Sequence, residues 1–266
     1  MKYSEIVFHT VVLSCAAGFF SSQAFAIKDK DWSHNFYQSC PSQGKSKYSM
    51  LKEKDIEFLR FEVNAGERGG CRADNNKRSG YQWHERIELT AGYKGNMEYL
   101  YPNKSYEIKY RIRFAEWTNQ WTDSINTILQ VYNNCYKSDK KGSCKPAYIL
   151  SVDKGNRLRV RTQHASGKDY YLNHIDLESE KTMGNFIVHD HIGKWVDVTI
   201  NLDMKKDHFN MVTKVTNGDE VWSAKSDKIV MRKGKKPYIK FGIYRGGRED
   251  NARSVLDVDF IKINAN

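Results

Sequence analysis

Tyr238-Ile239-Lys240-Phe241-Gly242-Ile243-Tyr244-Arg245 is the stretch that decides how this sequence is read. On an extended strand successive side chains point to opposite faces. Ile239, Phe241 and Ile243 therefore share one face, and Tyr238, Lys240, Gly242 and Tyr244 share the other. The result is a strand with an apolar back and a front of one ammonium and two phenols. A glycine is expected to leave space between Lys240 and Tyr244. An ordinary half-exposed strand is the plain explanation, so a functional reading depends on finding matching fronts elsewhere.

Two other segments supply them. In Trp83-His84-Glu85-Arg86-Ile87-Glu88-Leu89, the residues Trp83, Ile87 and Leu89 fall on one side, interrupted only by Glu85. His84, Arg86 and Glu88 fall on the other. Ile128-Leu129-Gln130-Val131-Tyr132 splits likewise, with Leu129 and Val131 inward and Gln130 and Tyr132 outward. Together the three segments predict a concave sheet lined with His, Arg, Glu, Gln, Tyr and Lys.

The rest of the chain is equally rich in strand patterns. Ile56–Val63, Tyr106–Phe114, Ala147–Val152, Arg157–Thr162, Trp195–Leu202, Asn210–Thr216, Glu220–Ala224 and Val255–Ile263 alternate or are rich in β-branched and aromatic residues. Turn formers such as Lys154-Gly155-Asn156 and Asn217-Gly218-Asp219 separate them. Helical signals are confined to the neighbourhoods of 117–124 and 177–182. Many short strands without intervening helices predict an all-β fold, a single-domain, two-sheet antiparallel jelly-roll sandwich. The absence of a Pro/Gly/Ser linker or fixed-period repeat supports one domain.

The N-terminus reads as a secretory signal peptide over residues 1–26. Lys2 precedes an apolar run from Ile6 to Phe20, and Ala24-Phe25-Ala26 offers a small-residue cleavage site. The domain then occupies 27–266, exported to a periplasm or the cell exterior, with no membrane span. Four of the five cysteines lie in that domain, an even number that in an oxidising compartment predicts disulfides. Cys135 and Cys144 flank a polar loop tip and are paired, leaving Cys40 with Cys71. No C-x-x-C spacing supports zinc instead. A formal charge of +11 predicts polyanionic partners, while no nucleic-acid motif is present.

The three polar strands resemble the signature set of jelly-roll polysaccharide lyases with a concanavalin A-like fold. The resemblance is closest to the heparin lyase I and glucuronan lyase group and more distant to alginate lyases. Those families carry Arg-x-Glu, Gln-x-His and C-terminal Lys-x-Gly-x-Tyr strands. This chain has Arg86-Ile87-Glu88, Gln130-Val131-Tyr132 and Lys240-Phe241-Gly242-Ile243-Tyr244 in the same order. Gly193-Lys194-Trp195 also resembles the group's Gly-x-Trp segment. The likeness runs from about Phe58 to Ile263 and departs from the pattern at Tyr132, where those families have histidine. It implies β-elimination at a uronic acid. Gln130 and Arg86 would neutralise the carboxylate, Tyr244 would be the acid and a candidate base, and Tyr132 or His84 the alternative base. Lys240 and Arg245 would assist electrostatically, Glu88 would orient Arg86, and Arg245 and Glu88 are also candidate substrate-binding residues.

Arg157, Arg159 and Arg161 share one strand face and are candidate subsites for acidic groups. The basic run 232–236 is a candidate rim. No cofactor or catalytic metal is expected, although a structural calcium at Asp250, Asp257 or Asp259 stays open. The expected partner of this monomer is an anionic polysaccharide such as glucuronan, alginate or a glycosaminoglycan-like chain. Two other functions fit the same sandwich. One is a lectin-like module binding acidic glycans. The other is a glycoside hydrolase, for which Asp176-Leu177-Glu178-Ser179-Glu180 is the only dense acidic cluster.

Overall fold

A computed structural model describes residues 36–40, 44–45, 47–71, 74, 83–91, 99–117, 126–132, 146–153, 155–163, 169–172, 186–231, 236–247 and 252–266. The signal segment, Cys135, Cys144, the 176–180 cluster, residues 232–235 and Asp250 lie outside the described residues.

Among the described residues fourteen strands, numbered in chain order, form two antiparallel seven-stranded sheets. The first sheet runs β1 (Phe36–Ser39), β4 (Trp83–Ala91), β13 (Tyr238–Gly247), β6 (Asn126–Tyr132), β7 (Pro146–Val152), β8 (Leu158–Gln163), β9 (Asp169–Leu172). The second runs β12 (Glu220–Val230), β11 (His208–Asn217), β10 (Trp195–Met204), β5 (Ser105–Glu116), β14 (Ser254–Ala265), β3 (Ile56–Val63), β2 (Lys47–Glu53). This is the expected jelly-roll sandwich.

Strict alternation builds the core between the sheets. On β5 the buried residues are Tyr106, Ile108, Tyr110, Ile112 and Phe114, and on β10 they are Val196, Val198, Ile200, Leu202 and Met204. From the first sheet they meet Ile87, Leu89, Leu129, Val131, Leu150, Ile239, Phe241 and Ile243, the expected apolar backs. Burying each such side chain stabilises the fold by roughly 1.5–3 kcal/mol. Tyr148 on β7 joins the sheets through a 3.1 Å hydrogen bond between its hydroxyl and Thr213 of β11.

β1, β2 and β9 carry no clear sequence signal. β1 and β9 have four residues each, and β2 is a largely exposed edge strand, where charge protects an unpaired rim. Of the two expected helical stretches, Trp117 is described and is not helical. Among the described residues a 3-10 turn spans Val188–His191, and Asp74 is also in 3-10 conformation.

Glu85, the charge that interrupts the apolar side of β4, stands opposite Arg245 of β13. Both are fully buried, with Nε to Oε2 at 2.6 Å. The Gly66 backbone N–H also donates to Glu85, at 2.7 Å, and Arg245 donates to the Ser254 hydroxyl at 2.6 Å. This corrects the expectation that Arg245 assists at the front or grips substrate. Alternation places it on the same side as Ile243, and its guanidinium is enclosed between the sheets.

Gly242 also differs from expectation. Its φ of 124° is a conformation L-residues rarely adopt, and a Cβ there would strike the Ile87 carbonyl oxygen and crowd the Phe61 ring. It sits at a register shift against β6 between Phe241 and Tyr244. The glycine thus permits a bulge and close packing rather than an open gap between Lys240 and Tyr244.

On the outer face of the second sheet, buried Asp257 pairs with Arg60 at 2.7 Å and Arg113 at 2.8 Å. Asp259 pairs with Arg111 at 3.2 Å. Two of the three aspartates considered for calcium thus face arginines, and the third, Asp250, lies outside the described residues.

Candidate active site

The three polar strands are neighbours in the order β4, β13, β6. Cross-strand partners share a face, so register extends the front across the sheet. One row runs Thr90, Lys240, Gln130, Ile149, Arg161, and another runs Arg86, Tyr244, Thr127, Ser151, Arg159. Ile149 is buried yet stands outside the inter-sheet core, as a residue of this front should. With neighbouring strands about 4.8 Å apart, the β8 arginines lie roughly 10 Å from the β6 residues of the same rows.

At one end of the front the Tyr244 hydroxyl lies 3.0 Å from Nδ1 of His84. The two rings meet edge-on with centres 5.1 Å apart. The Arg86 guanidinium sits 4.0 Å from the centre of the Tyr244 ring, a cation–π contact. Arg86 also reaches the Asp74 carboxylate at 2.6 Å and Glu88 at 3.5 Å. Gln130 donates from Nε2 to the other oxygen of Glu88 at 2.6 Å. Tyr244, Arg86, Glu88 and Gln130 thus form one connected set, with Glu88 bridging Arg86 to Gln130 as an orienting carboxylate would.

Lys240 lies at the other end, its ammonium 4.7 Å from the ring centre of Tyr132. Tyr132 is opposite Tyr238, with ring centres 5.5 Å apart. Six residues separate Tyr238 from Tyr244, about 20 Å of strand. Register thus places Tyr132, expected as an alternative base, at the far end of the front from Tyr244. The position opposite Tyr244 on β6 is held by buried Thr127.

Gln130, Glu88, Arg86, His84 and Lys240 are buried, whereas Tyr244 and Tyr132 are half-buried. Burial pushes the Lys240 ammonium below its ordinary pKa, with the Arg86 charge adding to the fall and Glu88 opposing it. Burial likewise acts against the Arg86 charge, but Glu88, Tyr244 and Asp74 outweigh it and hold the guanidinium above its usual value.

The three arginines divide. Arg159 and Arg161 are partly exposed on the front, Arg159 donating to Ser151 at 3.3 Å. Arg157 precedes β8, and its guanidinium is clipped to Asp153 at 2.7 and 2.9 Å. Burial raises the Asp153 pKa, but the Arg157 contacts prevail and hold it below the carboxylate norm. Arg157 is therefore corrected to a residue that closes the β7–β8 turn rather than a subsite. Cys40 and Cys71 form the expected disulfide, with Cα atoms 4.8 Å apart.

Asp74 had no signal in the sequence. It belongs to no alternating strand, and only the fold brings it to Arg86 and within 3.7 Å of His84. Thr90 and Thr127 read as ordinary strand residues until register places them beside Lys240 and Tyr244.

The architecture is the jelly-roll sandwich of several polysaccharide lyases. The chain is similar in structure to an endo-β-1,4-glucuronan lyase from the fungus Trichoderma reesei, at a TM-score of 0.51 and 12% identity, covering 86% of this chain and 90% of that one. It is also similar to alginate lyase A1-II', a member of polysaccharide lyase family 7, at 0.55 and 13%, covering 89% and 96%. A third similar structure is the Chlorella virus alginate lyase vAL-1, at 0.50 and 6%, covering 83% and 90%. At these identities the likeness is one of fold. No protein-family model matches the sequence, and a comparison with curated protein sequences gives no significant match.

Proposed function

We propose that this chain is an exported polysaccharide lyase that cleaves a uronic-acid polymer by β-elimination. The observation that carries the reading is the 3.0 Å contact between the Tyr244 hydroxyl and His84, beside Arg86 and on the same front as Gln130.

The proton on C5 of a uronate is a weak acid, because its removal adds negative charge next to a carboxylate. Donors aimed at that carboxylate stabilise the enediolate as it develops. Arg86 and the second N–H of Gln130 take this role. The nearby Arg86 charge also favours a phenolate on Tyr244, and His84 accepts the phenol's proton. The phenolate oxygen removes the C5 proton, the C4–O4 bond breaks, a C4=C5 double bond forms, and the same phenol returns the proton to O4. Arg159 and Arg161 grip neighbouring acidic groups. The two carboxylates beside Arg86, Asp74 and Glu88, are both engaged by it, which disfavours their acting as a glycosidase pair. The Cys40–Cys71 disulfide supports an oxidising compartment.

The test is a screen of uronate polymers for rising ultraviolet absorbance from unsaturated ends. Tyr244→Phe should lower kcat by about 10²–10⁴-fold, the usual scale for acid–base groups. Full activity in Tyr244→Phe would refute the mechanism. Binding without any absorbance change would favour the lectin reading.

A further inference from the structure

Asp74 is the carboxylate most tightly built into the front. It is fully buried. Its Oδ1 lies 2.6 Å from Arg86 Nη2 and 3.7 Å from His84 Nδ1. Its Oδ2 accepts the Cys71 backbone N–H at 3.0 Å, and its own N–H donates to the Cys71 carbonyl at 2.8 Å. The placement of Asp74 is therefore set by Cys71.

Cys71 is set in turn by its disulfide to Cys40. Cys40 follows β1, whose Ser39 pairs with Glu88 of β4, and its sulfur lies 3.6 Å from Arg86 Nη1. The same loop is pinned to β4 by the Gly69 N–H, which donates to the His84 carbonyl at 2.9 Å. A Cβ on Gly69 would overlap the Asp74 carboxylate and come within 3.0 Å of the Arg86 side chain. Disulfide, loop and carboxylate therefore close on the two side chains that flank the Tyr244 hydroxyl and ring.

We propose that Asp74 is a positioning residue for Arg86 and His84, and that the Cys40–Cys71 disulfide holds it there, so that the front is complete only in the oxidised protein. The kinetic consequence rests on the lyase reading above, whereas the placement of Arg86 does not. Without Asp74, Arg86 keeps Glu88 as its carboxylate partner and is drawn along β4 away from the Tyr244 ring. A displacement on the order of 1 Å of a group that stabilises the transition state costs up to about 10²-fold in rate. Losing a negative charge does not weaken the binding of an anionic polymer, so kcat falls while KM holds or drops.

Three perturbations test this independently. Asp74→Asn removes the charge. Gly69→Ala pushes the carboxylate aside and alters no titratable group. Reduction of the wild-type protein by a phosphine opens the disulfide to two thiols, the phosphine giving two electrons and becoming its oxide with oxygen from water. Each should lower kcat by about 10–100-fold, Asp74→Asn without raising KM, and reoxidation should restore the reduced protein. A second readout needs no substrate. The Arg86 guanidinium N–H signals in NMR, assigned by their loss in Arg86→Lys, should be slow to exchange in the oxidised wild type. They should shift and exchange faster in Asp74→Asn and on reduction. Unchanged signals in both overturn the proposal, as does a kcat within twofold of wild type in both. If no uronate polymer is cut, the lyase reading fails and the NMR result alone decides the positioning role.

Discussion

Replacing Arg245 with Met should unfold the protein readily while sparing the front. In the native chain Arg245 and Glu85 are both fully buried, with Nε and Oε2 2.6 Å apart. Ser254 and the Val63 carbonyl accept further hydrogen bonds from the guanidinium, and Gly66 and Trp83 donate to the carboxylate. Removing one member strands the other charge in a low-dielectric interior, at a cost of about 3–5 kcal/mol. For a domain of this size each kcal/mol moves Tm by about 2–4 °C, so a fall of roughly 6–20 °C is expected. Urea denaturation of Arg245→Met, Glu85→Leu and the double variant would measure it. The double variant should be more stable than the sum of the singles implies, with a coupling near the upper end of the usual range of about 0.5–3 kcal/mol. The folded fraction of Arg245→Met should keep a wild-type KM on any polymer it cuts. A normal Tm with a large rise in KM would refute the placement and return Arg245 to the substrate face.

Gly242→Ala should destabilise by at least about 1–3 kcal/mol, since φ is 124° and the new methyl meets Ile87 and Phe61; chemical denaturation checks it. Lys240→Met should raise Tm in thermal denaturation, because burying this ammonium already costs enough to lower its pKa. His191 stacks on Phe186 at 4.2 Å, and burial holds its pKa below 6.5. The unfolded chain then binds the proton more tightly, so stability declines as pH falls from 6.5 toward the lowered folded value. His191→Phe should flatten that slope in Tm measured against pH. Replacing Cys40 and Cys71 by Ser releases a cross-link between residues 31 apart, worth about 3–4 kcal/mol in the chain-entropy treatment, which scanning calorimetry should register.

Period two is a local property, and what depended on it was legible beforehand. It separated front from back on β4, β6 and β13, so the sandwich and the polar row of His84, Arg86, Glu88, Gln130, Lys240 and Tyr244 could be read from the chain. It also set Glu85 on the apolar side of β4, and the same period carries Arg245 to the apolar side of β13, although the resemblance had put Arg245 at the front. Each is the answer to the other across a sequence separation of 160.

Everything that required knowing which strands become neighbours, and in what register, came from the tertiary structure. Register set Tyr132 against Tyr238 and left His84 as the partner of Tyr244. The bulge at Gly242, the turn clip that occupies Arg157, and Asp74 beneath the disulfide have no periodic signature. Their positions follow from packing between distant segments, and alternation along one strand carries no information about the atoms that segment will meet.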